Sequence, residues 1–243
     1  MAVGFTLVFV DTPEDVRDPE ISAVAALDEP TRRRLYEHVV RQSSPVSRDE
    51  AAAALGLARK TAAFHLDRLA DELLLDVVYE RRSGRTGPGA GRPAKLYRRS
   101  ARQVAVTLPD RRYELAGRLL AQAVEESDAT GEPVRRVLHR KAAELGEQLG
   151  GQEEGAQAEA GVFGLLERYG FEPRREGDAV VLANCPFHAL AREHTETVCG
   201  MNLHLLSGIL QGLGDAEGME AHLAPAPGHC CVRLQPARPE RAA

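Results

Sequence analysis

All four cysteines of the chain fall between Asn184 and Leu234, in NCPFHALAREHTETVCGMNLHLL and PAPGHCCVRL. Cys185, Cys199 and the adjacent pair Cys230 and Cys231 share that segment with His188, His194, His204, His222 and His229. Thiolate and imidazole together are the ligand set of zinc and of iron-sulfur clusters. The spacings match neither paired C-x₂-C zinc knuckles nor the ferredoxin runs, and Cys185 with His188 is the only short ligand pair. Three other chemistries compete. Any single cysteine can serve as a small buried hydrophobe. Cys230 and Cys231 can form a vicinal disulfide or thiol switch. Cys185 with His188 has the composition of a nucleophile and base, but no third orienting residue or oxyanion feature accompanies it, so no enzyme is expected.

The elements that must position these thiols are a small α+β set. Val162 to Tyr169 reads as a helix, and FEPRR and AVVLANCPF as short strands around the Gly177-Asp178 turn. HALAREHTETVCGMNLHLLSGILQGLG is helical with an expected break near Cys199 and Gly200, and MEAHLAP and CCVRLQP are closing strands. Cys185 then follows a strand, Cys199 lies between helices, and Cys230 opens the last strand. Upstream, Leu115, Leu119, Leu120 and Val124, then Val134, Val137, Leu138, Ala142 and Leu145, mark two amphipathic helices. These suit a dimer interface or packing on the carboxy-terminal elements. The acidic GQEEGAQAEA, Gly151 to Ala160, is the best linker.

The chain has 243 residues, 43% hydrophobic and 28% charged, which fits an ordinary globular protein with room for two cores. No apolar run reaches the roughly 18 to 20 residues of a membrane span, so no membrane partner is expected. MAVGFTLVFVDTPEDV has no basic residue before its apolar stretch and is a poor export signal, which makes the reducing cytoplasm the expected location and puts metal-binding or redox use of the thiols ahead of structural disulfides. The net charge of −5 hides an asymmetry: from Arg81 to Arg99 seven residues are basic and none is acidic. Such a patch is the footprint of a nucleic-acid contact in the amino-terminal half.

That half has the pattern to use it. Ile21, Val24 and Ala25, then Leu35 and Val39, recur at helical spacing, with Asp28 placed to cap the second helix and Pro30 in its first turn. In VSRDEAAAALGLARKTAAFHLDRLADELLL, Ser47 and Glu50 make a capping box, Ala51, Ala54 and Leu55 a buried face, and Gly56 a turn. A second helix from about Ala58 buries Ala62, Leu66 and Leu69, which is helix-turn-helix geometry. Its outer face carries Arg59, Lys60, Thr61, Ala63, Phe64, His65 and Arg68. Arg59, Lys60 and Thr61 are the expected base readers, while packing is an equal use for Phe64 and His65. LDVVYERR and AKLYR flank the glycine-rich SGRTGPGAGRP as a wing, where Arg85 and Arg92 could enter a minor groove.

LDEPTRRRLYEHVV, SRDEAAAALGLARKTAAFHLDRL and SGRTGPGAGRPAKLYRR together resemble the winged-helix regulators of the ArsR-like superfamily over Ile21 to Ser100. The resemblance implies a homodimer on a palindromic double-stranded DNA operator, with Arg59, Lys60, Thr61 and His65 on the recognition helix and Arg85, Arg92 and Lys95 on the wing. CPFHALA, VCGMN and GHCCVRL resemble the carboxy-terminal domain of the SufR family of iron-sulfur repressors over Ala183 to Leu234. By position this implies Cys185, Cys199 and Cys230 as cluster ligands, the expected cluster being [4Fe-4S] and zinc the alternative. Cys231 doubles the last position, and the fourth ligand is open among His188, His194, His204 and Cys231. The expected protein is an α+β regulator: a winged helix-turn-helix over 1–100, a helical connector or dimerisation segment over 101–150, and a cysteine-bearing sensor domain over 160–236. Its runners-up are a zinc or thiol sensor on the same scaffold, and a regulator binding a small organic ligand or partner protein.

Overall fold

The structure, a computed structural model, describes residues 13–81, 93–152, 161–214 and 218–237. It divides into two compact units, Met1–Val106 and Thr107–Ala243.

In the first unit the order is α1 (Pro13–Ala26), α2 (Pro30–Val40), β1 (Val46–Ser47), α3 (Arg48–Leu55), α4 (Arg59–Asp71), β2 (Leu75–Glu80) and β3 (Ala94–Arg99). β3 lies between β1 and β2, antiparallel to both, with Val77 opposite Tyr97. Leu35, Val39, Ala51, Leu66, Leu69 and Tyr97 close the core beneath the helices. Start and stop signals are local. Ser47 accepts from the Glu50 amide at 3.2 Å while the Glu50 carboxylate accepts from the Ser47 amide at 2.8 Å, completing the capping box. Gly56 then takes the left-handed conformation, φ 64°, that ends α3 and turns the chain into α4.

Three local expectations change. Glu29, not Asp28, caps α2, accepting from the amides of Thr31 at 3.0 Å and Arg32 at 2.6 Å. Pro30 opens the helix, so the cap is the residue immediately before it. In α3 the buried residues are Ala51 and Ala52, and Ala54 is exposed. Among the described side chains of α1 the buried ones are Ala23 and Ala26, while Ile21 and Val24 face outward. In both helices the small side chain goes to the interface, where it permits close approach, and the stripe is rotated accordingly.

The second unit contains α5 (Tyr113–Thr130), α6 (Val134–Gly151), α7 (Gly161–Arg168), β4 (Pro173–Glu176), β5 (Ala179–Leu182), α8 (His188–Glu193), α9 (Thr195–Gly212), β6 (Met219–Leu223) and β7 (Val232–Pro236). The antiparallel sheet runs β4-β5-β7-β6. α5 and α6 share one hydrophobic core with the sheet and α9, through Leu119, Val137, Leu138, Leu182, Leu206 and Ile209. Of the two uses foreseen for this helical pair, packing on the carboxy-terminal elements is the one seen.

α6 and α9 touch backbone to backbone. A Cβ on Gly146 would lie 2.2 Å from the Leu205 carbonyl, and one on Gly208 would lie 2.1 Å from that of Ala143. Gly150 and Gly212 repeat the approach one turn on. The expected break at Cys199 and Gly200 is absent: the chain breaks at His194 and both residues are inside α9. Gly200 serves contact instead, since a Cβ there would lie 2.6 Å from His139 Nε2.

Candidate functional site

The four cysteines arrive from three places. Cys185 is in the loop after β5, Cys199 in the second turn of α9, and Cys230 and Cys231 at the entry to β7. Backbone pairing sets them beside one another: the Cys230 amide donates to the Leu182 carbonyl at 2.8 Å, and the Ala224 amide to the Cys231 carbonyl at 2.8 Å. Cys185, Cys199 and Cys230 are buried, Cys231 is half-buried, and all four are free thiols. The four lie close enough to act on one another's protonation, Cys230 on Cys185, Cys231 on Cys230, and Cys185, Cys230 and Cys231 on Cys199.

This environment keeps the three buried thiols protonated. The hydrogen bond to Cys230, then burial, pushes Cys185 up strongly. Cys230 is pushed up to about 12: its bond with Cys185 favours the thiolate, but its bond with Cys231 and burial outweigh that. Burial raises Cys199 even though Cys231 pulls it down. A catalytic nucleophile needs the opposite shift. The His188 side chain is exposed, its tie to Cys185 being a backbone amide donating to the Cys185 carbonyl at 3.0 Å.

Of the histidines proposed as a fourth ligand, His188 and His194 are exposed and His204 stacks on His139, ring centroids 4.3 Å apart. Cys231 acts on both Cys230 and Cys199. Among the described residues no three His, Cys, Asp or Glu side chains stand in the arrangement of a metal site. The donor chemistry, four free thiols, is that of a soft metal or an iron-sulfur cluster.

Two supports escaped the sequence reading. Asn202, 1% exposed on α9, donates from Nδ2 to Cys230 Sγ at 3.2 Å, and its Oδ1 is buried without a partner. A lone asparagine in the apolar run VCGMNLHLL was the available signal. Asn184 donates to the carbonyls of Gly170 at 2.6 Å and Asp110 at 3.1 Å and accepts from Arg111 at 2.6 Å, so a buried amide fixes the loop that starts at Cys185. Its partners lie 14 to 74 residues away in sequence, which no local pattern shows.

In the first unit α4 buries Ala62, Leu66 and Leu69 as expected and exposes Lys60, Thr61, Phe64 and Arg68 in one stripe. Arg59 is exposed but held by Asp49, with Nε 2.5 Å from Oδ1 and Nη2 3.3 Å from Oδ2. Arg68 pairs with Glu72 at 2.5 Å. His65 packs inward, Nδ1 lying 3.5 Å from Glu29 Oε2. Lys95 donates to Asp67 Oδ1 at 2.5 Å, and the Tyr97 hydroxyl donates to the same oxygen at 2.6 Å, so this wing lysine ties β3 to α4. Burial raises Asp67, but these two bonds outweigh it and hold the carboxyl below its ordinary value. Arg85 and Arg92 lie outside the described residues.

A family model described as a helix-turn-helix domain, HTH_20, matches residues 27–78, the span from the end of α1 into β2. No curated protein and no solved structure matches the chain. Among the described residues no helix is long and apolar enough to cross a membrane. With α3, the Gly56 turn, α4 and the two-stranded wing in place, the first unit is a winged helix-turn-helix domain of the kind by which transcription regulators bind DNA.

Proposed function

We propose that the protein is a homodimeric transcription regulator, acting as a repressor, whose carboxy-terminal unit senses iron-sulfur cluster or redox state through its four cysteines. α4 reads the major groove with Lys60 and Thr61 first, and the wing contacts the adjacent backbone. Cys185, Cys199, Cys230 and Cys231 would hold the cluster, [4Fe-4S] by expectation. A bound cluster would supply an oxygen- and redox-sensitive centre. The single observation behind this reading is the meeting of four free thiols from three separate segments, with a buried amide donating to one sulfur. Hydrogen bonds to ligand sulfur are a recognised means of tuning such centres. The outward face of α1, with Ile21 and Val24, supports a dimer.

The closeness of the four free thiols also favours a second reading, a thiol switch on the same scaffold. Protein purified without oxygen separates the two. The first reading expects visible absorption, iron and sulfide in equal amounts, and operator affinity that changes on bleaching. Colourless protein whose affinity follows disulfide content instead would replace it with the second, and stoichiometric zinc would make it a zinc sensor. Coupling of about 1 to 3 kcal/mol between site and DNA gives a response of about 5- to 150-fold.

A further inference from the structure

α4 spends none of its core on Phe64. Ala62, Leu66 and Leu69 fill the inward face at full burial, and Phe64 points away with 65% of its surface exposed. It stands in the outer stripe with Lys60 and Thr61 on one side and Arg68 on the other, at the i−4, i−3 and i+4 positions of the helix. A single exposed apolar side chain is ordinary on a protein surface. This one occupies the centre of the face that a helix-turn-helix presents to base edges, between cations suited to the flanking phosphates. Lys60 has no ion-pair partner among the described residues, so that charge is available at the same face. A phenyl ring has no donor or acceptor for the polar base edges. The one apolar group displayed in the major groove is the C5-methyl of a pyrimidine.

We propose that Phe64 reads a pyrimidine C5-methyl group, that of thymine in unmodified DNA, in the operator's major groove. The assignment rests on the DNA-binding reading above. It makes Phe64 a determinant of specificity, with Lys60 supplying affinity beside it and Arg68 doing so once DNA draws it from Glu72.

The test starts from full-length protein and a pool of random duplexes, from which the preferred site is selected. Each thymine of that site is then replaced by uracil, which removes only the methyl, and binding is measured at one fixed salt concentration. One thymine per half-site should be sensitive, with about fourfold weaker binding per half-site and about 15-fold for both, the factor that follows from burying one methyl-sized group. At that position 5-methylcytosine should bind more tightly than cytosine by a similar factor, which identifies the methyl and not the rest of the base. Phe64→Ala should bind the thymine and uracil duplexes equally, and Phe64→Leu should keep part of the difference. The side chain is exposed, so circular dichroism should show both variants folded. A site with no methyl-dependent position, or a Phe64→Ala variant that keeps the thymine-uracil difference, would overturn the assignment and leave DNA binding standing. A Phe64→Ala variant that instead loses self-association would assign the ring to a protein contact. A pool that yields no preferred sequence would overturn both readings.

Discussion

Single side chains decide how much of the recognition surface is available. Arg59 has the right type and place for a base contact, yet Asp49 already holds it through two nitrogens. DNA must displace Asp49 or repel it. Asp49→Ala is therefore expected to tighten DNA binding by roughly a few-fold, within the 0.2 to 1 kcal/mol of an exposed pair, and more at low salt than at high. Titration of a labelled duplex at two salt concentrations checks this. At the thiols, burial orders reactivity: an alkylating reagent should modify Cys231 before Cys185, Cys199 and Cys230, as read by mass spectrometry of the folded apoprotein. Asn202→Leu removes the donor to Cys230 and the orphaned Oδ1 together, so stability should change little while the midpoint potential of any reconstituted cluster falls. An unchanged potential would separate Asn202 from the site.

Helices and strands set what those residues can reach. α9 carries Cys199 and Asn202 and is locked to α6 by glycines on both helices. Gly208→Ala drives a methyl carbon into the Ala143 carbonyl oxygen, 2.1 Å away, so the helices must part. A loss of about 3 kcal/mol or more is expected in chemical denaturation, at or beyond the upper end of ordinary overpacking. Gly117→Ala, where an added Cβ meets nothing within 4 Å, is the control and should be neutral or mildly stabilising. The two cases show why a glycine in a helical pattern cannot be interpreted without its neighbour. Gly200 was expected to break the helix and instead accommodates His139, because the facing imidazole comes from an element more than fifty residues earlier.

For the molecule as a whole, the first unit contains a pH-dependent tie between helix and wing. Asp67 has a lowered folded-state pKa, so its contribution to stability is present above the ordinary value of 3.8 and is lost as pH falls through the depressed one. Acid unfolding followed by circular dichroism should therefore show a steeper stability loss below about pH 4 in the wild type than in Asp67→Asn. The same substitution is expected to loosen Lys95 and the wing, weakening operator binding at neutral pH, where the carboxylate is charged. Equal acid limbs in the two proteins would remove Asp67 from the account.

The sequence by itself determined the helix-turn-helix, since the capping box, the Gly56 turn and the spacing of Ala62, Leu66 and Leu69 act within a few residues of one another. It also placed the strands around Gly177 and the segment that bears the thiols. The tertiary structure decided what depends on distant partners. It rotated α1 so that alanines face the core, merged α5 and α6 into the second unit, and put Lys95 on Asp67 and Arg59 on Asp49. It also left His188 and His194 exposed and set Cys231 beside the site, since sheet pairing of β5 with β7 brings Cys230 to the end of β5, and Cys231 comes with it. Local patterns carry capping and periodicity; which two surfaces meet depends on the summed packing of elements far apart in the chain, and that is where the thiol site is made.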